Sequence, residues 1–362
     1  MNKTIFPKLL TACILILFLN ACSHNSSSNI LSTKTLTTIS STVTDVSTLL
    51  VEYDLMEIPL PGELASANME YSGLSWYGKY LILLPQYPNR INHDDEGFLY
   101  AINKDNLMAF LDNPTTEVLV DPIPFDDAGL SKQLVGFEGF EAIVFIEDSV
   151  YLTIETHGGN PMRSFIVKGL VEFDESTIKA IRLEGSSLVE LTVQNNNSNA
   201  SYEALTCDGT FIYAFFEQNG EAQNNLPFVI RLDSDLKNWK EIPLDFINYR
   251  LTDATLMDED GSFWMINYFF PGDTHLEVEN DPISSRYGLG ESHQNNEPVE
   301  RLVKLNLTEE RFILTDEPPL YLYLLANDEA RNWEGLVRFG EQGFLLVTDK
   351  FPDSILGFIK IQ

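Results

Sequence analysis

The chain is poor in cysteine, in histidine and in positive charge. Of three cysteines in 362 residues, Cys13 and Cys22 lie near the start, leaving Cys207 alone for the body. That excludes an intrachain disulfide framework and any CxxC metal motif. Cys207 ends Tyr202-Glu-Ala-Leu-Thr-Cys with no base close by, so it reads as a core residue and not a nucleophile. Five histidines, unclustered, argue against zinc. Lys and Arg number 23 against 54 Asp and Glu, a net charge of −31. Such a chain is repelled by nucleic acid and anionic lipid, and its excess acid calls for counter-cations. GxSxG, HExxH and P-loop motifs are missing, which removes the commonest sequence-readable reactions. Long hydrophobic runs are also missing after residue 22, and helical periodicity is scarce.

The first 48 residues read as an address. Lys3 and Lys8 precede an apolar run, Leu9 to Leu19, too short to span a bilayer comfortably and laid out as a secretory signal. It ends Leu19-Asn20-Ala21-Cys22, which resembles a bacterial lipobox. That resemblance implies residues 1–21 as signal peptide and Cys22 as the lipidated N-terminus. With Ser23 next, it implies an outer-membrane lipoprotein on the periplasmic or surface face. Residues 22–48, rich in Ser, Thr and Asn, read as a flexible tether, and 49–362 as the folded domain. Contact with membrane is expected through the lipid alone.

The body is built on a repeat. Five segments align: Tyr71-Ser-Gly-Leu, Phe140-Glu-Ala-Ile, Tyr202-Glu-Ala-Leu, Thr252-Asp-Ala-Thr and Trp333-Glu-Gly-Leu. Each leads through a Gly, Asp or Ser turn into a second apolar run, as a hairpin does. The second runs end on Gln86, Glu155, Glu217, Asn267 and Asp349. The two polar positions are 14 residues apart in four repeats and 15 in the last, so both belong at one end of the ladder. Each interval holds two more strand-like runs. Four antiparallel strands per repeat predict an all-β fold, a five-bladed β-propeller, with six blades as the alternative. The last repeat leaves room for three strands, so Leu49–Leu60 is expected to supply the fourth and close the ring from both termini. Residues 271–298 read as a surface insertion in the fourth blade.

In this arrangement two rings converge on one mouth. The inner ring is Ser72, Glu141, Glu203, Asp253 and Glu334. The outer is Gln86, Glu155, Glu217, Asn267 and Asp349. Seven carboxylates in a small volume raise one another's pKa or hold a cation, and a flexible oxygen cage suits calcium better than magnesium. The inner series resembles the bacterial phytase-like and "esterase-like" propeller families. Its Ser, Glu, Glu, polar, Glu order is similar to that of the calcium-dependent apyrases. That resemblance implies a five-bladed fold with an axial calcium held by the inner ring, although Asp253 stands where serine is expected. As an alternative function it implies metal-dependent hydrolysis of phosphoesters or phosphoanhydrides. Phosphate would need cations aimed at it, and Arg90, His157, Arg163, Arg331 and Lys350 are the candidates. His157, before Gly158 and Gly159, is the candidate catalytic residue. The reading favoured by the residues is an envelope lipoprotein with a central calcium and a mouth for a small-molecule or envelope ligand, without a defined reaction. Tyr71, Phe140, Tyr202 and Trp333 are candidates either to stack on a ligand or to pack between blades.

Overall fold

Short apolar runs separated by Gly- and Asp-rich turns become hairpins when one face of each strand can be buried against a neighbour. A computed structural model describes residues 49–90, 97–157, 162–174, 177–326 and 329–361. The signal, the tether, Cys22, Gly158 and Gly159 lie outside the described residues. The described chain enters on two short strands, β1 (Glu52–Tyr53) and β2 (Leu55–Ile58). A first antiparallel meander follows: β3 (Tyr71–Tyr77), β4 (Tyr80–Pro85), β5 (Gly97–Asn103) and β6 (Val120–Asp126). The second is β7 (Phe137–Ile146), β8 (Ser149–Thr156), β9 (Arg163–Asp174) and β10 (Thr177–Leu183), with β11 (Val189–Leu191) beside β9. The third is β12 (Tyr202–Cys207), β13 (Phe211–Phe216), β14 (Phe228–Asp233) and β15 (Trp239–Pro243).

In the fourth, β16 (Arg250–Ala254) and β17 (Ser262–Phe269) lead to β18 (Val299–Leu307). Two short strands, β19 (Phe312–Leu314) and β20 (Leu320–Leu322), share the far edge of β18. The last meander is β21 (Trp333–Arg338), β22 (Gly343–Thr348) and β23 (Leu356–Lys360). Its fourth strand is β2, antiparallel to β23, while β1 lies parallel to β20. The N-terminal segment therefore completes one meander and extends the one before it. An open edge on β23 would offer unpaired backbone to another chain, and β2 covers it.

The core lies between meanders. One cluster joins the first and second (Leu84, Ile143, Val167), another the second and third (Tyr151, Leu205). Two more join the third to the fourth (Phe215, Phe263) and the fourth to the fifth (Trp264, Phe344). A fifth joins the last to the first (Leu345, Leu74). The inner strands β3, β7, β12, β16 and β21 touch in a closed cycle. The result is the β-propeller expected from the repeat. Tyr71, Phe140, Tyr202 and Trp333 are at most 1% exposed and serve this packing, not a ligand. Cys207 is buried in β12, and burial pushes its thiol up to about 11, as befits an inert core residue.

Candidate functional site

Each inner strand departs from a regular ladder where the predicted ring residue stands. Tyr71 pairs with Pro85 and Gly73 with Leu84, leaving Ser72 over. Glu203 is left over between the Tyr202–Phe216 and Ala204–Phe215 pairs. Glu334 is left over between Trp333–Thr348 and Gly335–Val347. In β7, Glu141 and Ala142 share the gap between Phe140–Ile154 and Ile143–Leu152. A β-bulge bends its strand and re-aims a side chain. Here Ser72, Glu141, Glu203 and Glu334, one from each of four inner strands, line a common cavity.

The fourth repeat is one residue out of the predicted frame. Leu251 pairs with Asn267, as Tyr71 does with Pro85, and both Thr252 and Asp253 precede the next pair, Ala254–Met265. Thr252 therefore corresponds to Ser72, and Tyr268 to Gln86. The hydrogen bonds agree: Ser72 Oγ donates to Phe140 O and Thr252 Oγ1 to Trp333 O, each at 2.5 Å. Both acceptors directly precede a ring glutamate. The next residue, Asp253, stands where Gly73 stands in the first repeat and is aimed elsewhere. Its carboxylate accepts the backbone N–H groups of Leu336 (2.7 Å), Ala254 (2.8 Å) and Leu74 (3.5 Å), stapling β16 to β21 and β3. Asp253 is thus corrected from ring ligand to backbone staple. Asn267 is likewise removed from the outer ring. It donates to Asn248 O and Arg250 O and accepts from Arg301.

Ser72, Gln86, Glu141, Glu155, Glu203, Glu334 and Asp349 line one cavity of about 710 Å³. Glu70, Tyr268, Phe270, Asp273, Lys350 and Phe351 complete much of its wall with Arg250, which the sequence reading missed. Arg250 Nη1 donates to both oxygens of Glu217 at 2.7 Å, and Nε donates to Asp273 at 2.9 Å. Glu217 is fully buried, so the outer-ring residue of the third repeat is held by an ion pair. Asp273 comes from the predicted insertion, and Phe270 stands immediately before it, so this segment contributes to the mouth. The signal for Arg250 was its place at the head of an inner strand, one residue before the position filled by Tyr71 in the first repeat.

Five carboxylates of the cavity, Glu141, Glu155, Glu203, Glu334 and Asp349, are held above their ordinary range. Burial pushes Glu141 well up, and the charge of Glu155 adds to it, while Gln86 Nε2 donates to it at 3.0 Å. The Gln86 side chain lies across Gly139, where any Cβ would run into it. Burial raises Glu203 too, with Glu217 adding to it, and Glu334, with Asp349 adding to it. Asn332 Nδ2 donates to Glu334 Oε1 at 2.6 Å. Burial, then the charges of Glu217 and Glu138, bring Glu155 to about 7 despite Ser201 beside it. Asp349 is raised by burial against three hydrogen bonds that lower it. Glu203 is 8% exposed, its Oε2 has no donor among the described residues, and Glu217 stands close enough to share a proton with its carboxyl. A buried carboxylate oxygen left unpaired costs free energy, and a positive donor in the cavity would remove that cost.

The cationic candidates are taken by carboxylates. Arg90 and Lys350 flank Glu70 at 2.6 and 3.0 Å. Arg163 pairs with Glu190, and Arg331 with the fully buried Glu300. His157 is exposed, its backbone N–H donates to Gly136 O, and it does not line the cavity. The charged and polar side chains of the mouth offer mainly oxygen, which suits calcium chemically. The predicted five-residue ligand ring nevertheless does not fit, because Asp253 is engaged by backbone. Among the described residues no three His, Cys, Asp or Glu side chains are grouped so that they could hold a metal ion.

No family model and no curated protein matches the chain. Solved structures similar to it include a GH43_1 enzyme from Xanthomonas citri complexed with xylotriose, 10% identical, with a TM-score of 0.46 over 84% of this chain and 89% of that one. A Cellvibrio cellulosa α-L-arabinanase mutant is 10% identical at a TM-score of 0.43, over 80% and 90% of the two chains. A glucose dehydrogenase is 12% identical at 0.41, over 84% and 100%. At such identities the likeness is one of fold.

Proposed function

We propose that this propeller is a cation-binding module of the bacterial envelope, anchored by lipid at Cys22, with the bulge-aimed carboxylates as its binding site and no reaction of its own. The observation that carries the reading is Glu203, buried with no donor for its Oε2 among the described residues, in a cavity where Glu141, Glu155 and Glu334 are also held toward their protonated forms. The burial that raises Glu141, Glu203 and Glu334 means that each needs a proton or a bound cation to stay where it is. The calcium expected from the sequence finds no ready ligand set here, because among the described residues no three of these acids are grouped to hold a metal ion. An anionic substrate is disfavoured because Arg250, Lys350, Arg90, Arg163 and Arg331 already face carboxylates.

Thermal unfolding of the full chain with a panel of chloride salts of metals and amines, and separately with inorganic phosphate, tests the reading. Cations are expected to raise the midpoint and Glu203→Gln to abolish the rise, while phosphate has no effect. Stabilisation by phosphate and by no cation would overturn it. For the anchor, wild-type protein is expected in the membrane fraction and Cys22→Ser in the soluble one. Equal distribution would remove the envelope part of the proposal.

A further inference from the structure

The ligand of the mouth can be narrowed by what stands beside its carboxylates, and this step rests on the cation reading just given. The cavity, about 710 Å³, is far larger than one metal ion needs, and its acids are not grouped for one. Its lining includes Glu203, a buried carboxylate whose Oε2 has no donor among the described residues. It also includes Tyr268, which is 3% exposed, and two aromatic rings open to solvent, Phe270 at 48% and Phe351 at 57%. The Phe270 ring lies across Gly272, where a Cβ would run into it. Aromatic faces attract organic cations and cover the apolar body that such cations carry. An unpaired carboxylate oxygen calls for an N–H donor, which an ammonium supplies and a quaternary nitrogen does not.

We infer that the mouth takes a small organic cation with a primary ammonium head, the head donating to Glu203 and the neighbouring acids and the body lying against Phe270, Tyr268 and Phe351. Glu203 and Glu141 select the charge, and the exposed rings select an apolar or aromatic substituent.

Calorimetric titration of the full chain with benzylamine, benzyltrimethylammonium and calcium chloride tests this. Benzylamine, charged at neutral pH, is expected to bind, and benzyltrimethylammonium about tenfold more weakly for want of a donor to Glu203. Phe270→Ala, an exposed position where folding is not at stake, is expected to weaken benzylamine about fivefold and leave any calcium binding unchanged. Glu203→Gln is expected to lose benzylamine binding while unfolding as cooperatively as wild type. Binding of calcium without benzylamine would overturn this inference and leave the cation reading standing. Binding of neither cation would overturn both. Equal binding of the two amines would overturn the ammonium head and the role given to Glu203.

Discussion

Ser72 and Thr252 occupy the same place in two meanders, each hydroxyl donating at 2.5 Å to the carbonyl that precedes a ring glutamate. Ser72 thereby fixes the backbone before Glu141, and Thr252 the backbone before Glu334. Because both bonds are buried, their loss leaves a carbonyl unsatisfied. Thr252→Val is expected to cost about 1–3 kcal/mol, read as a lower denaturant midpoint with an unchanged slope. A wild-type midpoint would show that the hydroxyl does not hold β21.

Asp253 and Glu203 separate stability from binding. Asp253→Ala strips three backbone N–H groups of their acceptor and is expected to destabilise by about 2–4 kcal/mol, with cation affinity retained in the folded fraction. Glu203→Gln is expected to do the reverse. Unfolding and titration of both variants decide it, and loss of cation affinity in Asp253→Ala would return that residue to the ligand set.

Arg250 neutralises a fully buried acid. Arg250→Met leaves Glu217 in the interior without its partner, and about 3–5 kcal/mol of stability should go with it. The double variant with Glu217→Leu should recover a large part of that loss. Failure of the second substitution to rescue would mean that the pair is not what the first one breaks.

Stability should fall with rising pH. A carboxyl whose folded pKa is raised binds its proton more tightly in the folded state, so its contribution is complete below the unfolded value and is lost as pH climbs to the folded one. For Glu155 that window runs from its ordinary 4.5 to about 7, worth about 3 kcal/mol, and Glu141, Glu203 and Glu334 act in the same direction. Unfolding midpoints should be higher at pH 5 than at pH 8, and a saturating cation should narrow the gap. A midpoint that rises from pH 5 to pH 8 would contradict the assignment.

Much of this was legible in the sequence. The constant spacing between polar positions marked the hairpins of the repeat and seven residues that line one cavity, because a hairpin with a fixed turn returns to the same end of its ladder. The closure by β2 followed from counting strands after Glu334. The fourth repeat was misread for a physical reason. Its hairpin is two residues longer, with Leu251 opposite Asn267 where Tyr71 is opposite Pro85, and Asp253, standing where Gly73 stands in the first repeat, imitated the Glu of the other repeats. Leu251 also lacks the aromatic ring of Tyr71, Phe140, Tyr202 and Trp333 that would have marked the frame. Arg250 stood at the head of an inner strand, but its role depends on Glu217 and Asp273, which come from a different meander and a loop. The pairing of Arg331 with Glu300 was equally hidden, since the two are brought together only when β18 lies beside the start of β21.

On the cation-binding proposal, the buried acids of the mouth keep their protons until a cation replaces them. Calorimetric titration of the full chain with benzylamine or calcium at pH 6.5, repeated in two buffers of different ionisation heat, counts the protons released on binding. The expected result is release on the order of one proton per cation bound, abolished in Glu203→Gln. Binding with no proton released, or no binding of either cation, would contradict it.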